Sequence, residues 1–252
     1  MNNGRIIVWF SCGAASAAAS AAASIKASEK YKNDNLEICY CDTLKYEHPD
    51  NIRFMQDVSK CVGLEIKILK SNKYADIYDT FEKTGYIAGI SGASCTRCLK
   101  RDVRKDYQED SDVHIFGFTF DEEKRLNNFK TNNPDLHLEF LLYDLQITKK
   151  DCYQILRDNN IEIPTMYKMG YKNNNCIGCV KGGAGYWNKI KIDFPEYFNK
   201  MAEFTRKKNV RLVKNKGKRI FLDELPEGVG NYKSEPDFEC GVGCKAPELI
   251  IK

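Results

Sequence analysis

Arg5-Ile6-Ile7-Val8-Trp9-Phe10-Ser11-Cys12-Gly13-Ala14-Ala15-Ser16 is the stretch that decides the architecture. Arg5–Phe10 is an apolar run bounded by a turn and reads as a buried strand. Ser11-Cys12-Gly13 follows as the turn, and the Ala/Ser segment from Ala14 to about Lys30 has high helix propensity. A tight turn and a helix N-terminus then stand at the carboxyl end of the first strand, where open α/β sheets bind ligands. Unpaired backbone N–H groups there suit phosphate or sulfate, Ser11 and Ser16 add hydroxyls, and Gly13 admits an anion close to the backbone. A glycine at an ordinary strand–helix turn, with Ser11 or Ser16 capping, accounts for the same residues without a ligand.

Working outward, the pattern alternates. Leu36–Tyr40 and Leu64–Leu69 read as strands around a helix over Asp50–Val62. That helix carries Ile52, Met55, Val58 and Val62 on one side and is closed by Gly63. Helices are expected over Tyr74–Lys83 and Cys98–Gln108, and strands over Val113–Phe118 and Leu136–Leu142. Further helices are expected over Lys149–Asn159, opened by Thr148, and over Pro195–Lys207. Such alternation predicts an α/β fold, an open mostly parallel sheet with helices on both faces. The Gly-, Asn- and Cys-rich stretch 167–185 suits a site-forming loop. Residues 1–190 then form a nucleotide-binding domain carrying a four-cysteine site, and 191–252 a helix with a Cys/Gly-containing, basic tail that has little core of its own.

The chain has 252 residues, 42% of them apolar and 29% charged, with a net charge of +4, which fits a soluble globular protein. No apolar run approaches the roughly 20 residues that span a bilayer, and no secretory signal is evident, so the cytoplasm is the expected compartment. Eleven cysteines in a reducing compartment point to metal, cluster or redox chemistry rather than disulfides. Cys39, Cys41, Cys61 and Cys152 fall within strand or helix patterns and read as small buried hydrophobes. Cys95-x-x-Cys98 and Cys176-x-x-Cys179 are different: two such pairs complete a tetrahedral thiolate set, for zinc or for a [4Fe–4S] cluster.

The turn is neither a Walker A loop nor a Gly-x-Gly-x-x-Gly fingerprint. It resembles the degenerate PP-loop of the ATP-pyrophosphatase superfamily, Ser-Gly-Gly-x-Asp-Ser, with Cys12 for a glycine and Ala15 where the aspartate would stand. Loss of that magnesium-holding acid implies a substrate that arrives already activated. Ile161-Glu162-Ile163-Pro164-Thr165-Met166-Tyr167-Lys168-Met169-Gly170-Tyr171 and Asn175-Cys176-Ile177-Gly178-Cys179 resemble the phosphoadenylyl-sulfate and adenylyl-sulfate reductase family. So does Glu239-Cys240-Gly241 near the end. The likeness covers residues 5–185 and 239–241.

The resemblance implies an adenine nucleotide alpha-hydrolase-like fold and a [4Fe–4S] cluster on Cys95, Cys98, Cys176 and Cys179. The family's early cysteines are adjacent, whereas here two residues intervene, which keeps zinc open. It also implies Cys240 as the thiolate attacking an adenylyl sulfate; Cys244 stands where it can resolve the product, with a thioredoxin-like reductant. The family's His after Glu-Cys-Gly is replaced by Val242-Gly243. Arg125 occupies the place of a phosphate-contacting loop, and Arg97, Lys100, Arg101 and Arg104 set positive charge beside the first cysteine pair.

Arg206–Arg219 holds eight Lys/Arg among fourteen residues and no acid, a solvated surface or a nucleic-acid contact. Three functions follow in order: thiol-dependent reduction of adenylyl sulfate to sulfite, ATP-dependent sulfur insertion into nucleic acid, and nucleotide binding without catalysis.

Overall fold

Ile6–Phe10 form β1, and all five residues are buried, as a strand covered on both faces of a parallel sheet requires. The computed structural model describes residues 4–12, 16–31, 35–89 and 92–236. After β1 come α1 (Ser16–Lys30), β2 (Leu36–Cys41), α2 (Asp50–Val62), β3 (Ile66–Leu69) and α3 (Ile77–Thr84). A short hairpin, β4 (Ala88–Gly89) and β5 (Gly92–Ala93), leads into α4 (Ser94–Thr96), a π-helical segment over Arg97–Arg101, and α5 (Asp102–Tyr107). Then follow β6 (Val113–Phe116), α6 (Glu123–Asn132), β7 (His137–Glu139), α7 (Leu141–Asp144), α8 (Lys149–Asp158) and α9 (Thr165–Lys168). The chain continues through α10 (Ala184–Asp193), α11 (Pro195–Lys207) and the hairpin β8 (Val213–Asn215) and β9 (Lys218–Ile220).

The central sheet runs β3-β2-β1-β6-β7 with every neighbouring pair parallel. The chain first builds outward from β1 to β3, then returns to the other side of β1 as β6 and β7. The order therefore reverses between β1 and β6, which is the crevice where open sheets take ligands. Helix α1 packs beside it, and its alanines explain how: Ala17–Ala19, Ala21–Ala23 and Ala27 are all within 1% of complete burial. Small side chains let the helix backbone come close to the sheet. At Gly117, just past β6, a Cβ would stand 2.9 Å from the Ala19 carbonyl carbon, so only glycine fits.

Several elements differ from the sequence pattern. The strand expected over Leu136–Leu142 pairs only through His137–Glu139, and the chain then turns into α7. Leu141 and Leu142 are apolar because they bury in the core around β1 and α1, not because they extend the strand. On α2 the inward face is Asn51, Phe54, Met55 and Val58, while Ile52 is 51% exposed. Cys61, read as a buried hydrophobe, is exposed on the outward side of that helix, its thiol donating to Asn159 Oδ1 at 3.3 Å. Helix α6 occupies what looked like a loop, and the Thr119/Glu122 capping box before it is the local cause.

A second apolar cluster lies apart from the sheet core. It joins Tyr46, Leu99, Ile177 and Cys179 to Trp187, Phe198, Leu212, Val213 and Leu222, residues on both sides of position 190. The tail beyond Lys208 thus carries anchors of its own, and Val213 and Ile220 are cross-strand partners at the base of its hairpin. Among the described residues no helix is long and apolar enough to cross a membrane.

Beneath the sheet, Trp9 Nε1 donates to His114 Nδ1 at 3.1 Å, which places the ring proton on Nε2. Burial, aided by the Arg104 charge, pushes His114 down from 6.5 to about 4. An unfolded chain takes up this proton near 6.5, whereas the fold resists it until about 4. Stability should therefore fall as pH drops through that window, by about 2 kcal/mol once solvent screening is allowed for. Urea midpoints between pH 7 and 4 should slope less in His114→Gln than in the wild type, and equal slopes would remove His114 as the cause.

Candidate functional site

At the carboxyl end of β1 the backbone passes through Ser11 and Cys12, which are 8% and 0% exposed. Gly13 and the side chain of Ser16 lie outside the described residues. The Cys12 thiol belongs to the core around α1. Burial raises it well above its ordinary value, and the Glu47 charge adds to that, whereas Lys100 acts the other way. Cys12 is thus a protonated thiol whose contribution to an anion is through its backbone. Cys39, Cys41 and Cys152 are each pushed up to about 12, chiefly by burial, and are inert thiols as well.

Lys100 enters this place from the π-helical segment. It is only 4% exposed, and its carbonyl oxygen accepts the Cys41 thiol at 3.5 Å. Its ammonium lowers both the Cys12 and Cys41 thiols, which puts one buried positive charge near the ends of β1 and β2 together. The wider π turn is how residues 97–101 depart from straight α-helical phasing, and such segments recur at functional sites. Cys98, Leu99 and Lys100 are all buried in it.

Glu47, which acts on the same Cys12 thiol, belongs to a chain of buried polar groups. Tyr40 Oη and Thr43 Oγ1 share a hydrogen bond of 3.1 Å, and Thr43 donates to Glu47 Oε1 at 2.6 Å. Asn51 donates to Glu47 Oε2 at 2.7 Å and accepts at Oδ1 from Asn174 at 2.6 Å. The chain thereby ties the Asn173-Asn174-Asn175 run, all buried, to the end of β2. Asn174 Oδ1 is a buried acceptor with no partner among the described residues. Ile177 N donates to Tyr46 O at 2.7 Å, and Cys176 raises the Tyr40 and Tyr46 hydroxyls after stronger causes led by burial. The second cysteine pair therefore borders the carboxyl end of β2.

The turn from Cys176 to Cys179 is held by one hydroxyl. Tyr186 Oη accepts from Cys179 N at 2.9 Å and donates to Cys176 O at 3.2 Å. Gly178 between them has φ +72°, and a Cβ there would meet the Trp187 ring at 3.1 Å. Cys95, Cys176 and Cys179 line the second apolar cluster, and Cys98 lies buried beside Tyr74, whose hydroxyl it raises. Among the described residues, however, no three Cys, His, Asp or Glu side chains are grouped as a bound ion would need. Cys95, Cys176 and Cys179 border one apolar cluster, and Tyr74, which packs against that cluster, connects Cys98 to it.

The remaining sequence candidates separate. Arg125 opens α6, hydrogen-bonded to Glu122 and 5.0 Å from the Phe118 ring centroid. Arg104 is 2% exposed beneath the sheet, where burial brings it down to about 10 and its Nε and Nη1 lack partners among the described residues. Cys240 and Cys244 lie outside the described residues. Thr43, Glu47, Asn51 and Asn174 were not singled out in the sequence; the three consecutive asparagines ahead of Cys176 were the available signal, since such a run suits neither a helix interior nor an apolar core.

Compared with known protein families and with curated proteins, the chain matches none.

Proposed function

We propose that the chain binds an adenylyl sulfate, with or without a 3′-phosphate, at the carboxyl edge of its sheet and reduces it with thiols to sulfite. One observation supports the reading: the carboxyl end of β1, at Ser11 and Cys12, stands at the reversal of strand order, and the buried Lys100 charge acts on the Cys12 thiol there. An anion there meets backbone donors, the N-terminus of α1 and an ammonium in a place shielded from water.

The Cys240 thiolate attacks the sulfate sulfur, the sulfur–oxygen bond to the nucleotide breaks, and the nucleotide leaves with that electron pair. Attack by Cys244 on the Cys240 sulfur then forms a disulfide and expels sulfite, the two thiols supplying both electrons. A thioredoxin-like dithiol restores the reduced pair. A [4Fe–4S] cluster or zinc, if bound, would be held by Cys95, Cys98, Cys176 and Cys179, whose four thiolates outweigh the metal charge, so the pull on the sulfate falls to Lys100 and the backbone. The cationic hairpin β8–β9 favours one second reading, in which an adenylated intermediate serves sulfur insertion into nucleic acid.

The test is sulfite release from adenylyl sulfate and its 3′-phosphorylated form, with a thioredoxin system, by anaerobically purified protein whose iron, sulfide and zinc are counted. Cys240→Ser should abolish release while nucleotide binding persists. Full activity in that variant, or no sulfite from the wild type, refutes the reductase. Pyrophosphate release from ATP stimulated by RNA or DNA would support the second reading instead.

A further inference from the structure

We infer that the β8–β9 hairpin, with Lys181 beside it, is a docking surface for the phosphodiester backbone of nucleic acid. The inference stands on the hairpin itself and does not depend on which reaction the crevice performs. Lys214, Lys216, Lys218 and Arg219 are all exposed, and the three lysines have no carboxylate within ion-pair distance among the described residues. Nearby cations are engaged differently: Arg206 pairs with Asp223 and Glu224, and Lys208 with Glu82.

Two features of the hairpin work against its own stability. Lys214 lies directly across from Arg219 in the ladder, a like-charge pair that a three-residue hairpin gains nothing from internally. Lys216 has φ +46° ahead of Gly217 at φ +81°, the left-handed pair of a tight two-residue turn where Asn-Gly is the comfortable choice. A lysine in that conformation is a cost the fold sustains at the tip. Both departures place positive charge on one projecting ribbon.

The ribbon also borders space. Lys181 and Lys214 together line two adjoining grooves, of about 620 and 470 Å³. Glu235 is the acidic residue in the larger groove. Its carboxylate accepts the Gly185 and Tyr186 N–H groups at 2.6 and 3.1 Å, so it caps α10 and leaves Lys214 and Lys216 to a ligand. A protein partner would need an apolar anchor, and a membrane would need exposed aromatic or aliphatic residues. The hairpin offers neither, because Val213 is buried and Ile220 half-buried, with only Lys, Asn, Gly and Arg between them. Phosphate neutralisation requires only the cations.

Fluorescence anisotropy of full-length protein with labelled RNA and with duplex DNA, each about 20 units long, tests this across a salt series. Binding is expected at low salt and should weaken linearly in log–log form. The triple variant Lys214→Gln, Lys216→Asn, Lys218→Gln should lose at least about tenfold in affinity and about 2 units of slope on single-stranded RNA or about 3 on duplex DNA, as three phosphate contacts imply. Lys216→Asn alone should weaken binding without lowering the thermal midpoint, since asparagine suits the turn. No binding to either nucleic acid, wild-type affinity in the folded triple variant, or preference for anionic vesicles or polyglutamate would each overturn it. Sulfite release reads the crevice separately.

Discussion

Lys100→Met should reduce nucleotide affinity, and with it kcat/KM for sulfite release, by about 100-fold. A charge-assisted hydrogen bond to an anion contributes up to about 3 kcal/mol where water is excluded, and each 1.4 kcal/mol is about tenfold. The site is of that kind: the side chain is 4% exposed, and its ammonium acts on the thiols at the ends of both β1 and β2. Methionine keeps the length and apolar stem, so the loss isolates the charge. Lys100→Arg should recover little, because a planar guanidinium does not fit a space shaped by a point charge. The readout is the thermal shift produced by adenylyl sulfate, which tracks affinity through linkage, beside kcat and KM. A Lys100→Met protein that is stabilised by the nucleotide as much as the wild type would place the anion elsewhere.

The strand Ile6–Phe10 and the helix Ser16–Lys30 were legible in the sequence because the first is apolar at every position and the second is rich in alanine. The same clarity extended to Asp50–Val62 and Pro195–Lys207, whose bounds match those of α2 and α11. What pattern alone left obscure was direction. Apolar spacing pointed α2 inward through Ile52, whereas its real inner face includes Asn51, a polar residue turned in to hold Glu47 and Asn174. Hydrophobic periodicity has no means of announcing a buried amide one of whose partners lies 123 positions away. Lys100 was hidden for a related reason: among four basic residues at helical spacing, only the π-helical departure and the packing beneath it decide which charge is buried at the crevice. Cys95, Cys176 and Cys179 border one apolar cluster, and the cysteine spacing alone does not specify a ligand set, which depends on side-chain orientation.

Glu47→Ala should lower the unfolding free energy by about 3 kcal/mol and weaken nucleotide binding at the same time. Glu47 is 2% exposed and accepts from Thr43 and Asn51 at 2.6 and 2.7 Å, so its removal strands a hydroxyl and an amide donor in a dry interior. Each buried group left without a partner costs about 1–3 kcal/mol, and the vacated volume adds to it. Asn51 would no longer be fixed, and Asn174, which it accepts from, would release the segment leading to Cys176. Glu47→Gln separates scaffolding from charge. Its carbonyl can still accept from Asn51, while its amide donates to Thr43 Oγ1, whose proton turns toward Tyr40. That variant should lose only about 1 kcal/mol and, lacking the negative charge that opposes Lys100, should bind the anion more tightly than the wild type. Urea unfolding with an unchanged m-value, paired with nucleotide-induced stabilisation of each variant, reads both quantities. If Glu47→Ala unfolds within about 0.5 kcal/mol of the wild type, the Tyr40–Thr43–Glu47–Asn51–Asn174 chain does not hold the crevice together, and the cysteine loop must be positioned by Tyr186 and the Tyr46 carbonyl alone.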